Sequence, residues 1–565
     1  MAVGSQAPAP PAILCTTRVL SSCATVASTA TPTVHAALDE LVHQFTDRFA
    51  FVRELVQNAI DAGSDEIDVD VRWQAGEHGT GVVSIHVDDF GDGMTREIIE
   101  KRLTRLFSSS KEGDHTKIGK FGIGFVSVFA LDPEFVCIDT AREGESWRVL
   151  FRRDRTYELI ALDQPVDGTK ITLLLPGDAR RHAEIARGCE AALRHWCRHV
   201  AADVRFAGAS VREPFALPHA VVSIELDDPF AKIVVGHHAD LSSFHAFYNS
   251  GLTLFETTVA RGATAALDGL AFKVSSPQLE HTLTRDAVIE DEGFHRALAR
   301  VLAGARTELA AAVFAALARE AEPSRRAALQ RVALWHVAAD TLAPAIAAGH
   351  AVVHTPSGVG LSISELRRRA KDRGIGYARQ RSTLTDALEQ AGFVVLHGSR
   401  ETVLEQLAEA LVPRADHHEI ETRWCRPQLL REEDCPRAWP QLRDALAALL
   451  RAAGAKLAGI VPGDFDYPDS AIVERVAITQ PEPGAIVGLD ELHTLATGVW
   501  SRRHALVVHL RHPAVREFLA LASGEPELAA YLLAKALRVG RSLDEAVDTR
   551  MLEHVMERRW PSSTP

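Results

Sequence analysis

The chain has 565 residues, which is too long for a single hydrophobic core and predicts about two to four domains. Hydrophobic residues at 46% and charged residues at 24% are ordinary for a globular protein, and a net charge of -13 disfavours nucleic acid as the main partner. The seven cysteines form no CxxC pair and no apolar run is long enough to cross a bilayer. We therefore expect a cytoplasmic protein without a disulfide framework or a membrane partner.

Residues 1–35 are rich in Ala, Pro, Ser and Thr and contain no acidic residue. They lack the basic start and the sustained apolar centre of a secretory signal. Arg18 is the only basic residue among them, which gives poor support to an organelle transit peptide. We expect a disordered tail.

A first domain is predicted at residues 36–205. Apolar residues recur at helical spacing from His35 to Ala62, and Gly63 ends that pattern. A second helix is predicted from Thr95 to Leu106. The predicted strands are Glu66–Val71, Val82–Asp88, Phe135–Asp139, Ser146–Arg152 and Gly168–Pro176. Helices combined with an antiparallel sheet favour an α+β sandwich.

Two further domains are predicted. A helix from Asp178 to Val200 leaves the first domain, and a middle domain covers 206–415, with helices from Asp286 to Ala348 and an αβα subdomain at about 350–412. Prolines and mixed charge from Val412 to Pro440 indicate a linker or boundary, and the last domain covers 416–565.

Glu54 and Asn58 are the first candidate catalytic and metal-binding residues along the chain. They are four residues apart in FVRELVQNAIDA, so a helix puts a carboxylate and an amide on one face. Glu54 can act as the base that activates water, and Asn58 can offer a neutral oxygen to Mg²⁺. Asp61 lies one turn further on, where it either holds water near a nucleotide or belongs to the closing turn of the helix.

Asp89 follows a predicted strand and precedes Gly91 and Gly93 in DDFGDGM. A carboxylate at this place can accept a hydrogen bond from the exocyclic amine of adenine, and Gly93 lets the ring approach the chain. An ordinary Asp-Gly turn is the alternative, because such turns are abundant. The neighbouring motifs favour the nucleotide.

Gly119, Gly122 and Gly124 precede an apolar helix, so their amides can meet a phosphate at the positive end of that helix. A dinucleotide-binding fold would need a strand directly before the first glycine, and a polar segment, 108–117, stands there instead. Lys111 within that segment can reach a phosphate or remain a solvated lysine. Thr169 can place a hydroxyl near the base or can be an ordinary strand threonine.

Read together, these motifs resemble the GHKL superfamily (gyrase, heat-shock chaperone, histidine kinase, MutL). Within it their residues are most similar to those of the heat shock protein 90 family, including bacterial HtpG. The resemblance covers residues 40–176 most specifically and implies ATP and Mg²⁺ as cofactors. It implies a catalytic Glu54 and a metal-binding Asn58. The implied nucleotide pocket comprises Asn58, Asp61, Ala62, Asp89, Gly93, Met94, Lys111, Gly119, Phe121, Gly122, Ile123, Gly124, Phe125 and Thr169.

The likeness continues more weakly through the rest of the chain. HTLTRDAV (281–288) is similar to the middle-domain segment whose arginine reaches the γ-phosphate, which would be the catalytic Arg285. The implied fold is an α+β multidomain protein with an N-terminal GHKL (Bergerat) sandwich, a middle domain of ribosomal-S5-like type and a C-terminal dimerisation domain. Three departures are a short lid between Met94 and Ile118, the lack of a charged interdomain linker, and an end other than EEVD.

The resemblance implies a homodimeric chaperone ATPase that drives a clamp cycle on client proteins. The alternative is a specialised GHKL ATPase that acts as a nucleotide switch in a stress or defence assembly. A histidine kinase would need a phosphorylatable histidine on a dimerising helix upstream, and His35 and His43 stand too close to Glu54. DNA repair of the MutL type would need a basic groove, which the net charge disfavours.

Overall fold

A computed structural model describes residues 47–76, 81–104, 123–280, 288–338, 344–491, 502–537 and 545–559. Over these ranges the chain is a mixed α/β protein with several sheets, in agreement with the predicted multidomain α+β class. The predicted tail at 1–35 lies outside the described residues. So do five predicted site residues, namely Lys111, Gly119, Phe121, Gly122 and Arg285.

The first unit is built on an eight-stranded sheet. Its strands are β1 Glu66–Ala75, β2 Gly81–Asp89, β3 Phe135–Arg142, β4 Glu145–Arg152, β5 Tyr157–Ala161, β6 Thr169–Pro176, β7 Asp203–Phe206 and β8 Ala209–Ser210. They are ordered β5-β4-β3-β6-β2-β1-β7-β8, and only β1 and β7 pair in parallel. The sheet runs past residue 205, and the domain boundary placed there stays a prediction.

Four helical segments belong to this unit. They are α1 Ala50–Asp61, α2 Arg96–Ile98 with a π-helical turn at Ile99–Leu103, α3 Ile123–Val126 with a 3-10 turn at Ser127–Leu131, and α4 Ala179–Cys197. The strands form because apolar residues alternate: Ile67, Val69 and Val71 of β1 are buried in the core that α1 and α4 complete. Asp178 caps α4 by accepting the amide of Arg181 at 2.8 Å.

The second unit is built on a five-stranded sheet in the order β12-β11-β13-β10-β9. Its elements are β9 Ala220–Leu226, β10 Lys232–His238, β11 Phe244–Asn249, β12 Leu252–Thr257, β13 Ala271–Ser275, α5 Glu292–Gly304 with a π-helical turn at Ala305–Leu309, α6 Ala310–Arg319, α7 Pro323–Ala338 and α8 Pro344–Gly349. The predicted helix start, Asp286, lies outside the described residues, and the first helix that the structure describes after it begins at Glu292. Val288 forms a β-bridge, and the Asp291 side chain caps α5 by accepting the amide of Phe294 at 2.9 Å.

The helical run from Glu292 to Arg319 is, within the described part of the chain, the one helix with the length and composition to cross a membrane. Val301, Leu309 and Val313 on this run are fully buried in the core of the second unit. Its apolar character is thus explained by packing inside the protein.

A smaller αβα arrangement follows. It consists of β14 Ala351–His354, β15 Gly360–Ser362, α9 Ile363–Ala370, β16 Ile375–Ala378, α10 Thr383–Gln390, β17 Val394–His397, α11 Val403–Leu411 and β18 His417–Glu419. Strand β16 lies between β17 and β18 and is parallel to both. The sheet therefore takes its last strand from beyond residue 412.

The last part of the chain forms a four-stranded sheet in the order β20-β21-β24-β22 with helices beside it. Its elements are β19 Trp424–Cys425, β20 Gln428–Leu429, α12 Trp439–Ala452, β21 Gly459–Asp464, β22 Ala477–Gln480, β23 Val487–Gly488, β24 Ala505–His509, α13 Pro513–Ala522, α14 Pro526–Ala536 and α15 Glu545–Arg559. The segment 412–440 is more than a linker, because β18, β19 and β20 within it join three different sheets.

Candidate functional site

Helix α1 places Glu54 and Asn58 one turn apart, as their spacing predicts. Val52, Val56 and Ala59 anchor the opposite side of the helix in the core. Glu54 is only 7% exposed, whereas Asn58 is exposed. The face therefore presents a nearly buried carboxylate beside an amide that a ligand can reach.

Gly124, at the start of α3, lies directly against the carboxylate of Glu54. A Cβ atom at position 124 would overlap Glu54 Oε2. The carbonyl of Gly124 accepts a hydrogen bond from Ser127 Oγ at 2.5 Å, which fixes this turn. The structure thus brings together the first and third sequence motifs at Glu54.

Asp89 ends β2 and is 7% exposed. Its Oδ1 accepts the amide of Gly91 at 3.0 Å, and Thr169 lies opposite it on β6. Burial raises the pKa of Asp89, while hydrogen bonds from the backbone of Gly91 and Thr169 lower it. A carboxylate in this setting keeps acceptor capacity for an N–H donor such as an adenine amine.

Gly93 has a φ of +68°, and a Cβ atom there would overlap the carbonyl oxygen of Ala141. The protein's own backbone therefore requires glycine at this position, independently of any ligand. The next residue, Met94, donates its amide to Thr140 Oγ1 at 2.9 Å. The loop that follows Asp89 is in this way attached to β3.

Thr169 belongs to a pair of buried hydroxyl groups. Its Oγ1 lies 3.1 Å from Thr140 Oγ1, and the exposed fractions of the two residues are 7% and 0%. Gly168 before it has a φ of +64°, and a Cβ there would overlap the carbonyl of Asp89. Sequence reasoning missed Thr140, because a lone strand threonine carries no signal of its long-range partners.

The end of α1 also contacts the loop after β2. Asp92 donates its amide to the carbonyl of Ala62 at 2.8 Å. Asp61 is exposed, and its Oδ1 accepts a hydrogen bond from Gln57 Nε2 at 2.9 Å. That bond leaves both interpretations of Asp61 open.

Phe125 points into the protein core. Its ring lies 5.6 Å from that of Phe151 and 6.4 Å from that of Phe129. Any contact it makes with a nucleotide would come from its backbone.

These residues fit an adenine nucleotide with Mg²⁺. Asp89 offers a buried acceptor, and the bare backbone of Gly124 adjoins the carboxylate of Glu54. In the ranges that the structure describes, no group of three or more His, Cys, Asp or Glu side chains could hold a metal. Asn58, which is exposed on α1, could offer a neutral oxygen to a magnesium ion.

Comparison with known proteins agrees with this geometry. Residues 48–161 match the family described as histidine kinase-, DNA gyrase B-, and HSP90-like ATPase. The predicted GHKL resemblance is confirmed over this part of the chain.

The individual relatives that match are chaperone proteins named HtpG. The chain is similar to the chaperone protein HtpG of Anaplasma phagocytophilum, with 36% identity over 173 residues, 26% of this chain and 27% of the relative. It is also similar to the HtpG of Methylococcus capsulatus, with 31% identity over 171 residues, 25% of this chain and 26% of the relative. HtpG of Rhodospirillum rubrum is 29% identical over 209 residues, 31% of this chain and 32% of the relative. The matches span about a quarter to a third of these relatives.

Proposed function

We propose that the chain is a heat shock protein 90-like ATPase that hydrolyses ATP to drive a dimer clamp cycle on client proteins. The observation that carries this proposal is the ATPase-family match over residues 48–161, within which Glu54 meets Gly124 and Asp89 ends β2. The finer fold assignments belong to the same proposal: a Bergerat sandwich, a ribosomal-S5-like middle domain and a C-terminal dimerisation domain.

In this proposal Asp89 binds the exocyclic amine of adenine, and Thr169 supports it through a hydroxyl. Glu54 orients the attacking water and takes its proton, because its carboxylate is held still between α1 and the start of α3. Asn58 holds the magnesium ion. When bound, Mg²⁺ neutralises charge on the phosphates.

The remaining predicted positions complete the pocket. The backbones of Gly119, Phe121, Gly122, Ile123, Gly124 and Phe125 would surround the phosphates, with Lys111 beside them. Ala62, Gly93 and Met94 would line the base, with Asp61 holding water beside it. Arg285 would bring a positive charge to the γ-phosphate from the second unit. This role of Arg285 rests on the resemblance alone.

Dimerisation through the C-terminal part is supported by exposed apolar residues there. Leu532 on α14 is 37% exposed, and Leu552 and Met556 on α15 are 46% and 49% exposed. Leu552 and Met556 are four residues apart and share one face of α15, and exposed apolar side chains that lie together indicate a protein contact. The proposal includes client proteins as partners and a cytoplasmic location, with free cysteines at 137, 189, 197, 425 and 435 in keeping with a reducing compartment.

Turnover and nucleotide binding of the intact chain test this function together. Glu54→Gln keeps the shape of the side chain against Gly124 and removes its basicity, so the variant should bind ATP with near-native affinity and lose turnover. The matched control is Glu190→Gln, because Glu190 is a glutamate on α4 whose ion pair with Arg194 is largely exposed. Full turnover in Glu54→Gln, or no heat of ATP binding to the native chain with Mg²⁺, would exclude the proposal.

The comparisons do not favour the alternative of a dedicated nucleotide switch, since the relatives reported above are named as chaperones.

A further inference from the structure

The end of α4 in the first unit contacts the β11–β12 hairpin of the second unit directly. Thr253 Oγ1 donates to the carbonyl of His195 at 2.7 Å. Gly251 has a φ of +91°, and a Cβ atom there would overlap the carbonyl of His199. Leu252 is 2% exposed and belongs to the core of the first unit. The second unit thus inserts the tip of a hairpin into the first.

A charged network surrounds this insertion. Arg198, which follows α4, forms an ion pair with Glu256 of β12, and Tyr248 of β11 donates to Glu256 Oε1 at 2.6 Å. Beside it, Lys273 Nζ lies 3.0 Å from His199 Nε2. Burial and the neighbouring Lys273 lower the pKa of His199 to about 4, so that the imidazole is neutral and can accept a hydrogen bond from the lysine.

The network is not fully satisfied. The Nε atom of Arg198 is buried and has no hydrogen-bond partner among the described residues, and the carboxylate of Glu213 lies 4.0 Å from it. Arg198 thus has one partner on the second unit and another within reach on the connecting segment. Arg198 and Glu256 are only 21% and 17% exposed, so removing one partner would leave the other largely desolvated without its counter-charge.

We propose that Arg198, Glu256 and Tyr248 form a latch that holds the first and second units in one relative orientation. A change in the relative orientation of the units then requires the Arg198–Glu256 ion pair to break and Arg198 to pair with Glu213 instead. Bending of the connecting segment alone does not suffice. The connecting segment agrees with this, because Val211 and Leu217 within it are 1% and 5% exposed. The latch is a property of the interface and does not depend on the proposed ATP hydrolysis.

Hydrogen exchange of the full-length chain, followed by mass spectrometry, tests the latch. Glu256→Gln keeps the side-chain shape and removes the charge. We expect exchange of the amides at 195–200 and 250–257 to be about tenfold faster, with the rates in β1–β6 and α5–α7 unchanged. Tyr248→Phe keeps the ion pair and should give a smaller effect at the same amides. The control is Glu225→Gln, at an exposed position of β9, which should change neither segment.

Small-angle X-ray scattering of the same samples provides a second measurement, and Glu256→Gln should have a larger radius of gyration than the native chain. Unchanged exchange at 195–200 and 250–257 would overturn the latch. Uniformly faster exchange across the second unit would also overturn it, because it would assign Glu256 to general stability. Both readouts are independent of turnover, so a chain that does not hydrolyse ATP leaves the latch testable.

Discussion

Thr140 Oγ1 lies 2.9 Å from the amide nitrogen of Met94 and 3.1 Å from Thr169 Oγ1. One hydroxyl on β3 therefore joins the loop after Asp89 to the strand that begins at Thr169. Because Thr140 is fully buried, water cannot replace either hydrogen bond.

Replacing this hydroxyl should weaken both the fold and the site. Thr140→Val keeps the side-chain volume and leaves the amide of Met94 without its partner, at a cost of about 1–3 kcal/mol in the free energy of unfolding. Nucleotide affinity should fall as well, because the loop beside Asp89 loses its anchor. Urea unfolding and calorimetric titration measure the two effects. Thr172→Val on β6 is the control, and equal losses of affinity in both variants would contradict this role.

Gly124→Ala should disable turnover through the displacement of Glu54. The new Cβ atom would overlap Glu54 Oε2, so either the carboxylate or the start of α3 must move. A displacement of about 1 Å in a catalytic group lowers turnover by roughly a hundredfold. The measurement is steady-state ATP hydrolysis. Gly459→Ala is the control, since a Cβ atom at Gly459 meets nothing within 4 Å, and native turnover in Gly124→Ala would show that the contact is unimportant.

The local elements of the site were accessible from sequence. The helical spacing from His35 to Ala62 is confirmed as a helix at Ala50–Asp61, whereas residues 47–49 form a turn and residues 35–46 lie outside the described ranges. The strand predicted at Val82–Asp88 is found at Gly81–Asp89. Both depend on patterns within a few residues, namely a repeat of 3.6 and a repeat of two.

The long-range parts of the site were not accessible. The bond from Met94 to Thr140 spans 46 residues, and the pair of Thr140 with Thr169 depends on strand register that no local pattern encodes. The sequence suggests ligand approach as the reason for glycine at position 93, whereas the carbonyl of Ala141 already requires it. Short strands such as β16 escaped prediction because four buried residues are too few for a periodic signal.

The apolar surface of α15 should carry the contact between two copies of the chain. Val547, Met551 and Val555 face the protein core, while Leu552 and Met556 form a second, exposed apolar row beside them. Leu552→Glu combined with Met556→Glu should convert a dimer into a monomer, because a carboxylate in an apolar contact loses its hydration. Sedimentation equilibrium measures the change. Arg550→Glu on another side of α15 should remain dimeric, and a dimeric double variant would place the interface elsewhere.

The buried pair of His237 and His336 should make the second unit sensitive to acid. His237 Nδ1 lies 2.7 Å from the carbonyl of Gly269, so this nitrogen carries the proton, and Nε2 lies 3.1 Å from His336 Nε2. Both rings are fully buried. Burial lowers the pKa of His237 to about 4 and that of His336 to about 3, from 6.5.

Between those values and about 6.5 the unfolded chain binds protons that the folded chain does not, so the free energy of unfolding should decrease as the pH falls. Each histidine contributes a slope of up to about 1.4 kcal/mol per pH unit. Urea unfolding at pH 7.5, 6.5, 5.5 and 4.5 measures the slope. His336→Phe should reduce this slope by up to about 1.4 kcal/mol per pH unit. His219→Gln, at an exposed position, should leave the slope unchanged. An unchanged slope in His336→Phe would assign the acid sensitivity to other groups.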